Sequence, residues 1–304
     1  MLIYVWLWGW GVQAQLEAHV QYLASDSLKG RPYPSVQLDQ AADYIVERFK
    51  EMGIQPLESG YFQKGPDQLT NVVAWIPGTQ SEVIVLSAHY DHIGMAKSGP
   101  DLIFNGANDN ASGVAVMLEV ARILKARPTP KYTILFTAFS GEEAGMLGSR
   151  YFVNHPPITL ERIRFQLNLE QVGRWDELDP APNQPPKAVS LTGFTYTDAE
   201  SVMGPLAKAN GLTLIGHPVN SQRYFTRSDN ASFAFAGIPC HTLSACYAFP
   251  DYHGVDDEWE KLDFAFMAQI VTMVAESIQT WAESGQTPVW NPIPQTEPFR
   301  RAQP

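Results

Sequence analysis

The chain has 304 residues, 45% of them hydrophobic, enough for one large core or at most two domains. Asp and Glu outnumber Lys and Arg by 32 to 21, a formal net charge of −11. No cluster of Lys and Arg appears, so nucleic-acid binding drops out of the candidate roles; the acidic excess favours solubility and repels anionic partners.

The first segment, Leu2 to Val12, is uncharged and apolar but too short to span a membrane as a helix. Val12-Gln13-Ala14 then places small residues where a signal peptidase reads. Residues 1–14 are therefore expected to be the remains of a secretory signal, and the protein to be secreted or periplasmic. A buried N-terminal strand is the competing reading. Residues 15–55 read as two helices, with Leu16, Val20 and Leu23 on one face and Ala41, Ala42, Ile45, Val46 and Phe49 on another. Ser27 to Pro34 is a loop between them, and Gly53 closes the second helix. Val72–Ile76 and Val83–Ala88 read as strands, Ala111–Lys125 as a helix, and Tyr132–Ala138 and Ile163–Leu169 as strands again. Val189–Thr192, a helix near Asp198–Asn210, Leu212–Ile215, a strand Ile238–Leu243 and a closing helix Trp259–Trp281 complete the pattern. Continuous apolar strands alternating with helices predict an α/β fold: a three-layer αβα sandwich around a mixed, largely parallel central sheet. Residues 15–285 form one domain, with Asp179–Lys187 as a Pro-rich excursion. The Pro-rich tail, 286–304, is expected to wrap the surface or fray. Cys240 and Cys246 are the only cysteines. An exported chain permits a disulfide between them, and two buried free thiols fit as well.

In sheets of this type ligands sit at the carboxyl ends of the strands. Five segments put metal-type side chains there. The strand 83–88 runs into His89-Tyr90-Asp91-His92, and Asn108-Asp109-Asn110 precedes a helix. Glu142-Glu143 and Glu170 each follow a strand, and Tyr252-His253-Gly254 follows the last one. Two adjacent carboxylates at the end of a buried strand are costly to desolvate and persist only opposite cations or strong donors. One of the pair can bind a metal while the other moves protons. Imidazole and carboxylate are the ligands that zinc takes when no thiolate is offered. Ser140 with the late His253 also suggests a serine hydrolase. However, Ala138 stands where a nucleophile elbow needs Gly, and the Glu142-Glu143 pair has no role there.

The motifs Ser87-Ala88-His89-Tyr90-Asp91-His92, Gly106-Ala107-Asn108-Asp109-Asn110-Ala111-Ser112-Gly113 and Phe139-Ser140-Gly141-Glu142-Glu143 occur in the order of one family. So do Asn168-Leu169-Glu170, Ser228-Asp229-Asn230 and Tyr252-His253-Gly254-Val255-Asp256-Asp257. Over roughly residues 16–284 the sequence resembles the secreted bacterial di-zinc aminopeptidases, relatives of glutamate carboxypeptidase II and glutaminyl cyclase. The resemblance implies a zinc-peptidase (phosphorylase/hydrolase-like) fold, two Zn²⁺ per chain and peptide substrates. It assigns His89 and Glu170 to the first zinc, with Glu170 standing where the family usually has Asp. It makes Asp109 the bridge, places Glu143 and His253 on the second zinc, and has Asp91 orient His89. It casts Glu142 as general base for a water activated between the metals, cleaving the N-terminal peptide bond. Asp229 takes a supporting place beside the centre. His92 reads as a bystander beside His89, and His19, His155 and His217 as surface residues. His241 reads as a satisfied core residue, and Arg223, Tyr224, Phe225 and Arg227 as packing near the Ser228 loop. Oligomeric state stays open. Two rivals share the fold: a single-zinc glutaminyl cyclase, which typically lacks the first-zinc His, and a metal-free binding or scaffold protein.

Overall fold

The apolar runs become strands and pair into one sheet. The structure, a computed structural model, describes residues 2–300, with side chains from Gly11 onward. Among those residues the strands are β1 (Gln55–Pro56), β2 (Phe62–Lys64), β3 (Thr70–Ile76), β4 (Val83–His89), β5 (Thr133–Phe139), β6 (Ile163–Leu169), β7 (Ala188–Leu191), β8 (Thr213–Ile215) and β9 (Cys240–Ser244). Their order across the sheet is β1-β3-β5-β4-β6-β9-β7-β8, with β2 beside β3. β5, β4, β6 and β9 run parallel. β3 and β7 run antiparallel to β5 and β9, so the sheet is mixed and largely parallel, as the sequence predicts.

β4 and β5 are buried at every position. Consecutive strand side chains point to opposite faces, so a strand covered on both faces reads as a continuous apolar run. Ile84, Leu86, Ala88, Ile134, Phe136 and Ala138 enter one core. Val83, Val85, Leu135 and Phe139 enter the other. The helices are α1 (Leu2–Leu23), α2 (Val36–Glu51), α3 (Ser112–Lys125), α4 (Leu147–Asn154), α5 (Glu200–Ala209), α6 (Asn220–Arg223), α7 (Asn230–Phe235), α8 (Phe264–Ser284) and α9 (Glu297–Arg300). α1, α2, α3, α5 and α8 cover the first face, and α4, α7 and α9 the second. α3 is apolar nearly all round because it lies between β4 and the pair α1 and α8. The Ser35 hydroxyl accepts the Leu38 N–H at the start of α2, and Asp263 accepts the Phe266 N–H at the start of α8.

Several details differ from the sequence reading. The N-terminal segment is helical, not a strand, and α1 runs without a break through Val12-Gln13-Ala14. Val12, Leu16, Val20 and Leu23 pack into the first core. Met1 and residues 301–304 of the tail lie outside the described residues. As far as Arg300, the tail wraps and does not fray. Trp290 and Phe299 are buried against Phe225, and the Trp290 indole N–H donates to Gly237 C=O at 2.9 Å. Two large aromatic surfaces removed from water hold this Pro-rich segment in place.

Cys240 and Cys246 are both free and buried, so no disulfide joins them. They serve different surroundings. Cys240 packs in the second core and donates to Asn230 C=O at 3.1 Å, whereas Cys246, beyond the end of β9, accepts from the Asn108 amide at 3.3 Å. His19 and His217 are buried, not on the surface. His19 Nδ1 lies 2.8 Å from the Tyr44 hydroxyl. His217 Nε2 lies 3.1 Å from Asp179 C=O and its Nδ1 accepts the Asn220 N–H at 2.9 Å, pinning the excursion loop.

His241 is the satisfied core histidine expected, and it makes the fold acid-sensitive. Its Nδ1 lies 2.7 Å from Thr192 C=O and must donate; its Nε2 therefore accepts from the Thr197 hydroxyl at 2.6 Å. Burial lowers its pKa from 6.5 to about 4. Between these values the unfolded chain binds the extra proton, so stability falls as pH falls through that window. The expected contribution is about 3 kcal/mol, lost progressively between the two pKa values. His241→Asn keeps a donor toward Thr192 and has nothing to protonate. Urea midpoints measured across this window should fall less steeply for the variant than for the parent. Parallel slopes would assign the acid sensitivity elsewhere.

Candidate metal centre

The chain leaves β4, crosses through α3 to β5 on one side, and then returns to β6 on the other side of β4. A crevice opens at the carboxyl ends where the order reverses. His89 is the last residue of β4, Glu142 and Glu143 follow β5, and Glu170 follows β6. Asp109 lies in the turn before α3, and His253 in the loop beyond β9.

The site residues from all five segments meet. His89 Nε2 lies 3.4 Å from Asp109 Oδ1, and His253 Nε2 lies 3.2 Å from Asp109 Oδ2. His253 Nε2 is also 3.2 Å from Glu143 Oε1. Asp109 thus turns one carboxylate oxygen toward each histidine. His89, Asp109 and Glu170 offer ligand atoms within 4.8 Å of one another, as do His92, Asp109 and Glu143. Glu142 joins neither group. His92 is no bystander: it is buried, with Nδ1 3.1 Å from Glu143 Oε1.

Backbone anchoring explains why the donors converge. Asp91 is fully buried, and its two oxygens accept the N–H groups of Glu142 at 3.1 Å and Glu143 at 3.2 Å. It therefore holds the Glu142-Glu143 turn more directly than it holds His89, whose Nδ1 is 3.7 Å from Asp91 Oδ1 and 3.3 Å from the Asp91 carbonyl. The Asp257 carboxylate accepts the N–H groups of Asn108 and Asp109, each at 3.0 Å, and so ties the His253 loop to the Asp109 turn. The Asn110 side chain donates to Leu169 C=O at 2.9 Å and accepts the Gln171 N–H at 3.2 Å, fixing the same turn to the Glu170 segment. Arg31 is buried and donates to the carbonyls of Leu23, Tyr90, Asn105 and Gly106. The sequence reading gave roles to neither Asp257 nor Arg31. Arg31 sat in what looked like a plain loop. Asp257 closes the motif that begins at Tyr252, and its position shortly after His253 is the signal that the sequence offers for it.

Electrostatics separates the two neighbouring glutamates. Burial raises the Glu142 carboxyl well above its usual range; His89 opposes this, and Glu170 and Asp229 add to it. Burial also pushes Glu143 up, but the imidazoles of His253, 3.2 Å away, and of His92, 3.1 Å away, outweigh it and hold Glu143 at about 2. One carboxyl thus has a raised affinity for a proton, as a group that accepts one needs, and its neighbour stays ionised. Burial raises Glu170 to about 7 and Asp229 to about 6.

The donors fit a divalent metal. His89 Nε2, His253 Nε2 and Glu170 Oε2 are buried without a hydrogen-bond partner. Such atoms are rare in folded proteins because each costs about 1–3 kcal/mol. Imidazole nitrogen and carboxylate oxygen together are a zinc donor set. Above them opens a cavity of about 790 Å³, with Glu142, Glu143 and Glu170 among its lining and Met146, Leu178, Tyr224, Tyr247 and Phe249 supplying apolar wall. Tyr224 and Arg227 both pack and line it: Tyr224 stacks on Tyr247 at 5.2 Å, and the Arg227 guanidinium lies 5.6 Å from the Tyr224 ring centre. Phe225 is core.

A family model for peptidase family M28 matches residues 71–278. The uncharacterized protein YfbL of Escherichia coli is 26% identical over 286 residues, covering 84% of each chain. Aminopeptidase YwaD of Bacillus subtilis is 41% identical over 98 residues, which is 32% of this chain and 20% of that protein. Among solved structures, the LapA aminopeptidase of Legionella pneumophila matches with a TM-score of 0.70 at 20% identity, over 89% of this chain and 71% of that one. The glutaminyl cyclase of Porphyromonas gingivalis matches at 0.65 and 17% identity, over 88% and 98%. At these identities the structures speak for the fold. The matched segment runs across every donor from His89 to His253, and the chain belongs to peptidase family M28, as a metallo-hydrolase.

Proposed function

We propose that the chain is an aminopeptidase that holds two zinc ions and hydrolyses the N-terminal peptide bond of peptides. One observation carries this reading. Asp109 presents an oxygen to each of two donor sets, and Glu142 stands beside both without belonging to either. His89, Asp109 and Glu170 would hold one ion, and Asp109, Glu143 and His253 the other. When bound, the pair supplies Lewis acidity, polarising a scissile carbonyl and lowering the pKa of water. The Glu142 carboxylate takes the proton of the attacking water and passes it to the leaving amine. Asp91 keeps that carboxylate in place through the backbone of its turn. The apolar walls receive a side chain and exclude water.

A cyclase-like reading has less support, because His89, typically absent there, stands 3.4 Å from Asp109. A metal-free scaffold would leave the desolvation of the buried donors unrelieved. A secreted or periplasmic location belongs to the same proposal and rests on the apolar start and Val12-Gln13-Ala14.

The cavity lining supports cleavage from the amino end. Among the described residues it carries three carboxylates, Glu142, Glu143 and Glu170, against one cation, Arg227. That balance suits an ammonium better than a terminal carboxylate, which calls for Arg in a fork geometry. Peptides with an apolar first residue should therefore be cleaved about 10–100-fold faster with a free amine than when acetylated, the worth of one charged hydrogen bond. Equal rates, or faster cleavage of the blocked peptide, would end the aminopeptidase assignment and leave the zinc hydrolase standing.

A further inference from the structure

We infer that His92 is a positioning residue for the second zinc position: it fixes Glu143 and backs His253, the two donors that this position adds to Asp109, without being a ligand itself. The inference rests on the two-ion reading above. Its evidence is the geometry around one ring.

The backbone at His92 is held first. Its N–H donates to Arg31 C=O at 3.2 Å, and His92 pairs with Pro32 in a short parallel bridge. The ring is then buried with Nδ1 3.1 Å from Glu143 Oε1. An ionised carboxylate only accepts, so Nδ1 carries the proton and donates, and Nε2 is the bare nitrogen. The same Glu143 oxygen lies 3.2 Å from His253 Nε2. His92 therefore pins the oxygen that faces His253, and limits rotation of the whole carboxylate. The His92 ring also meets the His253 ring edge to face, with centres 5.6 Å apart and planes at 78°, which restrains the tilt of that imidazole. Space for the ring comes from Gly106, where an added Cβ would lie 2.5 Å from His92 Cδ2 and 2.4 Å from Asp109 C=O. The backbone there has a φ of +59°, which glycine accepts readily. One glycine thus makes room for both the bridging carboxylate's turn and the histidine behind Glu143. Partners that orient metal ligands in this way typically govern affinity by about 10–100-fold.

The test measures metal binding on the full chain, with Zn²⁺ alone and with Co²⁺ alone, by competition against a chelating dye. His92→Phe keeps the ring against His253 and removes the donor. It should weaken the second binding step by about 10–100-fold and leave the first step nearly unchanged. His92→Asn, whose amide N–H stands close to the Nδ1 position, should recover most of that loss, with the Co²⁺ absorption spectrum of the parent. If His92→Phe fails to fold, His92→Gln replaces it, since its amide N–H is displaced from the Nδ1 position. An unaltered second step would overturn the inference. So would His92→Asn binding as weakly as His92→Phe with a changed Co²⁺ spectrum, which would make His92 a ligand. A parent chain that binds a single ion would instead overturn the two-ion reading, a result visible before any variant is made.

Discussion

Glu142→Gln is expected to lower turnover by about 10²–10⁴-fold while fold and zinc content stay intact. Glu142 lies outside both donor sets, so its loss removes no ligand. Its backbone N–H, not its side chain, is what Asp91 holds, so the turn survives the substitution. The amide has nearly the shape of the carboxyl but cannot carry a proton between water and amine. Glu143→Gln is the contrasting case. Glu143 Oε1 faces both His92 and His253, and an amide there should release metal along with activity. Elemental analysis beside a rate measurement separates the two. If Glu142→Gln lost zinc and Glu143→Gln kept it, the roles would have to be exchanged.

Arg31→Met should cost about 3–5 kcal/mol of stability, the range for removing one member of a buried charged network. The guanidinium is buried, where desolvation lowers its pKa to about 10 against the opposing pull of Asp91, Asp109 and Asp257. It is therefore a cation in the midst of the centre's carboxylates. It also satisfies four backbone carbonyls at once, those of Leu23, Tyr90, Asn105 and Gly106. Methionine of similar volume fills the space but leaves those oxygens without a donor and the carboxylates without a counter-charge. Arg31→Lys should rescue only part, since one ammonium cannot reproduce the planar fork. Urea unfolding of metal-loaded protein gives the difference. A loss below about 1 kcal/mol, as surface substitutions show, would mean that water takes over the contacts of the guanidinium.

Much of the architecture and the catalytic shortlist is a property of the sequence by itself. β4 and β5 are mostly apolar because both faces of the sheet are covered, and that is visible locally. Their ends carry His89, Glu142, Glu143 and Glu170 because a desolvated charge persists only where a cation meets it, so residue type betrays the site. What tertiary structure alone decided are the pairings across the chain. His92 and Glu143 are 51 positions apart, and Asp257 and Asn108 are 149 apart. No periodicity links them, and only the reversal of strand order brings their loops together. The same holds for Arg31, which looks like a solvated loop residue until four carbonyls from three segments close around it. Cys240 and Cys246 are near in sequence, yet the strand end sends them to different surroundings, where each thiol finds its own partner. Hydrophobic pattern is a one-dimensional record of burial, whereas hydrogen-bond partners depend on where the backbone has been carried.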